Sequence, residues 1–316
     1  MLLRLSFIMK KYLLLVSLMI NSWGFITPPV SAHPATGLVV DRFGNVYFIH
    51  TGVGVAKITP AGNLTYIYKA VDGHWMCLDE RGDFSGSKPR YFERITPDGA
   101  IPAIIYAGGG SPVAVGMDGN FYYAGGQNGD LNPGAKSVIR ETRGNKQTIL
   151  CPHLEDTLNK LDDGITGIAG APDSSLYLAC WNSLIKVTMK GTVSVLFHPV
   201  SVTDCDEDPA DHSKANLGKP LLRGIAVDSS GIVYSAATSC HCVIKITPDG
   251  RVQTILKSER PWSPTGVYAR SGNIYVLEFT NANGPKTEGW LPRVRKIDRN
   301  GKITTLADLS NQRNFR

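Results

Sequence analysis

Apolar residues in this chain come in short runs that alternate with polar positions, and each run stops at a cluster of Asp, Asn, Ser, Gly or Pro. A period of two predicts strands with a buried face, joined by tight turns. TGLVVDRFGNVYFIH, from Thr36 to His50, shows the unit: an apolar strand, a turn and a second alternating strand. Its relatives are SPVAVGMDGNFYYAG from Ser111, TGIAGAPDSSLYLAC from Thr166, RGIAVDSSGIVYSAA from Arg223 and TGVYARSGNIYVLE from Thr265. HWMCLDERGDFSGS, from His74, is a degraded copy. The turns centre on Gly44, Gly82, Gly119, Ser174, Gly231 and Gly272.

A second hairpin follows each of these, turning at Gly62, Gly99, Gly144, Gly191, Gly250 and Gly301. ITPDG ends at Gly99 and again at Gly250, and ITPAG ends at Gly62. Pro at the first central position and Gly at the close suit turns whose dihedrals other residues meet only with strain. Paired hairpins make four-stranded units of about 47 residues, and an all-strand repeat of that length predicts a propeller. The expected fold is all-β: a six-bladed β-propeller of four-stranded antiparallel blades over residues 33–316. Its innermost strands are expected near 37–41, 75–79, 112–116, 167–171, 224–228 and 266–270.

Two columns recur within the repeat. Tyr47, Tyr122, Tyr177, Tyr234 and Tyr275 share one position in the second strands, where an aromatic column implies blade-to-blade packing. Lys57, Arg94, Lys186, Lys245 and Lys296 share one in the third strands, and their alternation with Ile or Val implies solvated outer-face charges.

Residues 1–32 read as a cleaved export signal: Arg4, Lys10 and Lys11 open it, Tyr12 to Ile20 are apolar, and ValSerAla ends it at Ala32. Asn21, Ser22 and Gly24 break the apolar run short of the roughly 20 residues a spanning helix needs. The expected location is therefore secreted or periplasmic, with no stable membrane insertion after cleavage. Arg4, Lys10 and Lys11 hold three of the six net positive charges, leaving +3 on the remainder. That balance speaks against a nucleic-acid partner, which calls for a strongly basic face.

In a propeller the turns between strands one and two, and three and four, share one face. They are uniformly tight here. The long segments are on the opposite face: the second-to-third links at 125–136 and 280–292, and the blade links at 152–165 and 198–220. Elaborated loops on a rigid scaffold are where binding and catalysis concentrate. The residues opening the innermost strands there are Thr36, His74, Ser111, Thr166, Arg223 and Thr265; those ending the second strands are His50, Lys88, Gly125, Cys180, Ala237 and Glu278. His74, His50, Arg223 and Glu278 are the members able to do acid–base or anion-binding work. Each is also a candidate for a satisfied structural polar residue.

The pattern GIAVDSSGIVY followed by VIKITPDGRVQTI resembles the NHL family of propeller repeats, within the clan of gluconolactonases and streptogramin lyases. The resemblance runs from about Thr36 to Ala307 and implies the propeller; it does not fix the chemistry. It places His74 where streptogramin lyases carry a functional histidine, although those enzymes resemble seven-bladed propellers. A gluconolactonase-type divalent metal site implies an N-terminal Glu, and the first Glu here is Glu80. His50, His74 and His241 fall outside the zinc motif context of the amidating lyases.

Six cysteines follow the leader, in a context that permits disulfides. Cys77 reads as a buried thiol, and Cys151 ends the last strand of the third unit. Cys180 is expected to pair with Cys240, Cys242 or Cys205. A tetrahedral zinc on Cys240, His241, Cys242 and Cys180 is the alternative, opposed by strand alternation, which turns His241 away. The acidic run at 203–212 is a calcium candidate without the spacing of a calcium loop. Two functions remain open: an exported propeller binding a protein, peptide, glycan or small-molecule ligand on its loop-bearing face, or an exported lyase or lactone hydrolase. In the second, His74 or His50 is the base, Arg223 the anion stabiliser and Glu278 the acid or a ligand for a divalent metal.

Overall fold

In a computed structural model, which describes residues 34–69, 73–81, 92–95, 103–108, 110–125, 135–144, 146–202, 205, 220–280 and 290–310, the alternating runs form strands. The first blade holds β1 (Leu38–Val40), β2 (Val46–His50), β3 (Gly54–Ile58) and β4 (Leu64–Tyr68) in chain order, antiparallel throughout. A second sheet holds β5 (Gly73–Asp79), β6 (Phe92–Ile95) and β7 (Ala103–Gly108). Four more blades follow: β8 (Val113–Val115), β9 (Phe121–Gly125), β10 (Ser137–Glu141) and β11 (Gln147–Ile149); β12 (Ile165–Gly170), β13 (Leu176–Cys180), β14 (Leu184–Val187) and β15 (Val193–Phe197); β16 (Leu222–Val227), β17 (Val233–Ala237), β18 (Cys242–Ile246) and β19 (Val252–Lys257); and β20 (Ser263–Arg270), β21 (Asn273–Thr280), β22 (Leu291–Ile297) and β23 (Ile303–Asp308).

The expected blade count is therefore corrected: among the described residues there are five four-stranded blades, not six. The second sheet has three described strands in the order β5-β7-β6, with β7 directly beside the innermost strand and Cys77 opposite Ile105. The sequence carries the reason. After its first turn this copy reads DFSGSKPRY, with no alternating apolar run to fill the second-strand position, whereas β7 (AIIYAG) is apolar and takes that place. Innermost strands do lie at all six expected positions. The expected leader, the turns at Gly82 and Gly99, Lys88, and most of the long links and the acidic run lie outside the described residues.

The core consists of layers between neighbouring sheets. Phe48, Ile49 and Val55 pack with Met76 and Leu78 on one side and with Leu277 and Phe279 of the last blade on the other. Each four-stranded blade uses consecutive strands, so first and last blades exchange none; this packing and the bond from Thr265 Oγ1 to the Ala35 carbonyl, 2.6 Å, close the ring.

The glycine after the opening residue of an innermost strand lets the strands approach this closely. A Cβ on Gly167 would lie 2.4 Å from the Arg223 carbonyl oxygen, one on Gly224 2.7 Å from that of Thr265, and one on Gly266 2.4 Å from that of Thr36.

Both columns are structural. Tyr47, Tyr122 and Tyr234 are buried, and each donates its hydroxyl to the first-turn aspartate of its own blade: Asp41 at 3.0 Å, Asp118 at 2.7 Å and Asp228 at 3.0 Å. The basic column stays at the surface, half-buried: Lys57, Lys186 and Lys296 sit over the rings of Tyr47, Tyr177 and Tyr275 at 5.9, 5.3 and 5.9 Å. That gains a cation–π contact for each ammonium. The link at 152–165 holds a helix, α1 (Leu154–Leu161), whose Leu154 and Leu158 are fully buried one turn apart.

Candidate functional site

Strands of a blade start and end on defined faces, so the loop-bearing face collects the first residues of the innermost strands and the last residues of the second strands. Between the six innermost strands runs a cavity of about 180 Å³. Leu38, Met76, Val113, Ile168, Ile225 and Val267 represent the six strands in its wall, and Thr36 is the opening residue that reaches it. None of His50, His74, Arg223 or Glu278 lines it. The volume is below the roughly 300–1,000 Å³ of pockets that enclose drug-sized ligands. A larger ligand would have to lie over a mouth of the channel.

At the loop-bearing mouth, side chains and backbone stitch neighbouring sheets together. Thr166 Oγ1 donates to the Leu222 carbonyl at 2.6 Å, and Thr238 Oγ1 donates to that of Pro264 at 2.8 Å. The amides of Thr36 and Gly37 both donate to the His74 carbonyl at 2.8 Å. Arg223 Nη1 approaches the Pro34 carbonyl at 3.4 Å. The structure thus brings His74 and Arg223 to one segment, residues 34–37. His50 and Glu278 belong to separate local networks.

His50 ends β2, is 5% exposed and shares a 2.6 Å hydrogen bond between its Nδ1 and the Tyr66 hydroxyl. Burial pulls its pKa down to about 4 and pushes that of Tyr66 up to about 12. His50 is therefore neutral at physiological pH. Glu278 is fully buried and clamped: Oε1 accepts from Ser258 Oγ and Arg295 Nη2, both at 2.5 Å, and Oε2 accepts from Arg293 Nε at 2.8 Å. Arg293 also pairs with the exposed Glu259, and its guanidinium lies 4.1 Å from the centre of the Trp262 ring. These contacts are those of a buried structural ion cluster.

Arg223 is the exception. Its side chain is partly buried, and burial lowers its pKa. Among the described residues, Arg140 has Asp118, Arg270 has Glu80, and Arg293 and Arg295 share Glu278; Arg223 has no carboxylate.

Unpartnered buried polar atoms collect on the same face. Thr51 Oγ1, Ser111 Oγ, Asn182 Oδ1, Thr280 Oγ1, Arg293 Nη2 and Arg295 Nε lack a hydrogen-bond partner and belong to side chains at or directed to the loop-bearing ends of their strands. Arg140 Nε, toward the tight-turn face, completes the described set.

Trp181 follows Cys180, the last residue of the second strand in the repeat register, and is 42% exposed. The next residues anchor a chain of polar groups: Ser183 Oγ donates to Asp163 at 2.5 Å and bonds His198 Nδ1 at 2.8 Å. An aromatic residue just past the end of a second strand was the available signal.

The expected pairing of Cys180 is corrected. Cys205 bonds Cys240, while Cys77, Cys151, Cys180 and Cys242 are free and buried. The zinc alternative loses the Cys240 thiolate to that bond. Alternation does not govern the segment either, because Thr238–Cys240 form a 3-10 turn and His241 has φ 51°.

No family model matches the chain, the NHL repeat included, and no curated protein matches it. Solved structures share its fold. An auxiliary nutrient binding protein from Bacteroides thetaiotaomicron is 14% identical over 88% of this chain and 70% of its own, with a TM-score of 0.51. A gluconolactonase from Xanthomonas campestris is 14% identical over 84% and 87%, at 0.50. A virginiamycin B lyase from Staphylococcus aureus is 13% identical over 88% and 85%, at 0.49. At such identities the likeness is one of propeller architecture.

Proposed function

We propose that this protein is an exported propeller that binds a ligand — protein, peptide or glycan — on its loop-bearing face, over the channel mouth. The observation that carries this reading is the gathering there of buried polar atoms without partners, beside an arginine that has no carboxylate among the described residues. Each such atom costs about 1–3 kcal/mol, and a ligand supplying the missing hydrogen bonds recovers that cost. The leader-like first 32 residues and the Cys205–Cys240 bond support export, since disulfides persist in oxidising compartments.

The lyase or lactone hydrolase reading draws on His50, a neutral imidazole at physiological pH, as base. Two contacts count against it: Tyr66 engages Nδ1, and Glu278 has both oxygens engaged by arginines. The test is to screen the mature protein against peptide and glycan arrays and to analyse each captured ligand by mass spectrometry. Recovery of unaltered ligand supports binding; conversion to an eliminated or ring-opened product replaces it with the enzyme reading.

A further inference from the structure

We propose that the ligand is a saccharide bearing a carboxylate, with Arg223 as the carboxylate's partner and Trp181 as the surface on which a sugar ring stacks. The proposal rests on the reading that the loop-bearing face binds a ligand, and it names the chemistry of that ligand.

Arg223 offers five N–H donors in a planar fork that fits a carboxylate's two oxygens. Its described contact is a single long approach to a carbonyl. Among the described residues Arg270, Arg293 and Arg295 already hold carboxylates, whereas Arg223 keeps capacity for an external anion. A partly desolvated charge gains more from such a partner than an exposed one.

Backbone ties Trp181 to the strand that carries Arg223. The Leu222 amide donates to the Trp181 carbonyl at 3.0 Å, so Arg223 begins one residue from that contact. The Trp181 amide donates to the Gly164 carbonyl at 3.3 Å, which fixes the other side. A large exposed indole on anchored backbone presents a flat apolar surface at little entropic cost. The apolar face of a pyranose matches it.

Thr51, Ser111, Thr280 and Asn182 around this face hold partnerless hydroxyl and carbonyl oxygens, a set that calls for donors and acceptors together. A ligand rich in hydroxyls supplies both; apolar peptide side chains would leave these atoms unpaired. The 180 Å³ channel admits at most a small group, so the body of the ligand lies across the mouth.

Titration calorimetry and tryptophan fluorescence on the mature protein test this, with di- and trigalacturonate, their neutral galactose counterparts and galactose 6-phosphate as probes. The expected result is galacturonate binding that exceeds binding of the neutral sugars and the phosphate. It should fall about tenfold or more in Arg223→Ala, recover in part in Arg223→Lys, and be lost in Trp181→Ala without change in melting temperature. Preference for the phosphate, equal binding of neutral sugars, or indifference to Arg223 overturns the carboxylate assignment while leaving a ligand on this face. Binding abolished by substitutions in the tight-turn loops and untouched by Arg223→Ala or Trp181→Ala overturns the reading beneath it as well.

Discussion

Glu278→Gln separates a structural from a chemical role for that residue. The carboxylate accepts two guanidinium hydrogen bonds inside the last blade and one from Ser258 in the link leading into it, with no exposed surface of its own. The amide keeps the shape but has one acceptor oxygen, so at least one arginine faces an N–H₂ group. A hydrogen bond to a charged group contributes about 1.5–3 kcal/mol. Removing one partner of a buried ion pair typically costs about 3–5 kcal/mol. Glu259 is exposed and too solvent-screened to compensate two buried arginines by itself. The expected loss is about 3–5 kcal/mol, read as a lower urea midpoint with unchanged slope. A loss below about 1 kcal/mol, with ligand binding or turnover abolished, would refute the structural assignment and restore Glu278 as a reacting group.

Three further outcomes follow from local physics. Folding depresses the His50 pKa from 6.5 to about 4, so the unfolded chain takes up the proton first: stability is full above pH 6.5 and falls by about 3 kcal/mol as pH drops toward 4. His50→Gln should flatten that slope in urea titrations at stepped pH. Gly224→Ala puts a Cβ 2.7 Å from three backbone atoms of the next blade, which should cost at least about 1–3 kcal/mol in thermal unfolding. Peptide mass mapping should find Cys205 joined to Cys240 with Cys180 and Cys242 free; removing the bond with Cys205→Ser should cost about 3–4 kcal/mol for a loop of this length.

The strand pattern was legible wherever both hairpins kept their alternation, because period two and turn residues are local properties. The second unit departed from it through a non-local choice. With no apolar run after Arg81, β7 became the better neighbour for β5, and only a comparison of candidate partners could say so. The helix α1 left a trace in the spacing of Leu154 and Leu158, but two leucines between CysPro and AspAspGly also read as a link. For the site, the repeat register located the mouth residues without revealing which were already engaged. Thr166 and Thr265 spend their hydroxyls on carbonyls of the next blade, and Glu278 meets Arg293 across β21 and β22. Those partners are set by sheet register and blade packing. The pairing of Cys205 with Cys240 likewise depends on where a long link returns, which cysteine spacing does not encode.

The central claim is that the face bearing the long links is the one that meets the ligand. Hydrogen–deuterium exchange of the mature protein, with and without a ligand captured in the array screen, tests it most directly. The account predicts slowed exchange at residues 34–37, 110–112, 163–166, 181–183 and 221–223. Slowed exchange confined to the tight turns at 41–45, 59–63, 116–120, 228–232 and 247–251 would contradict it.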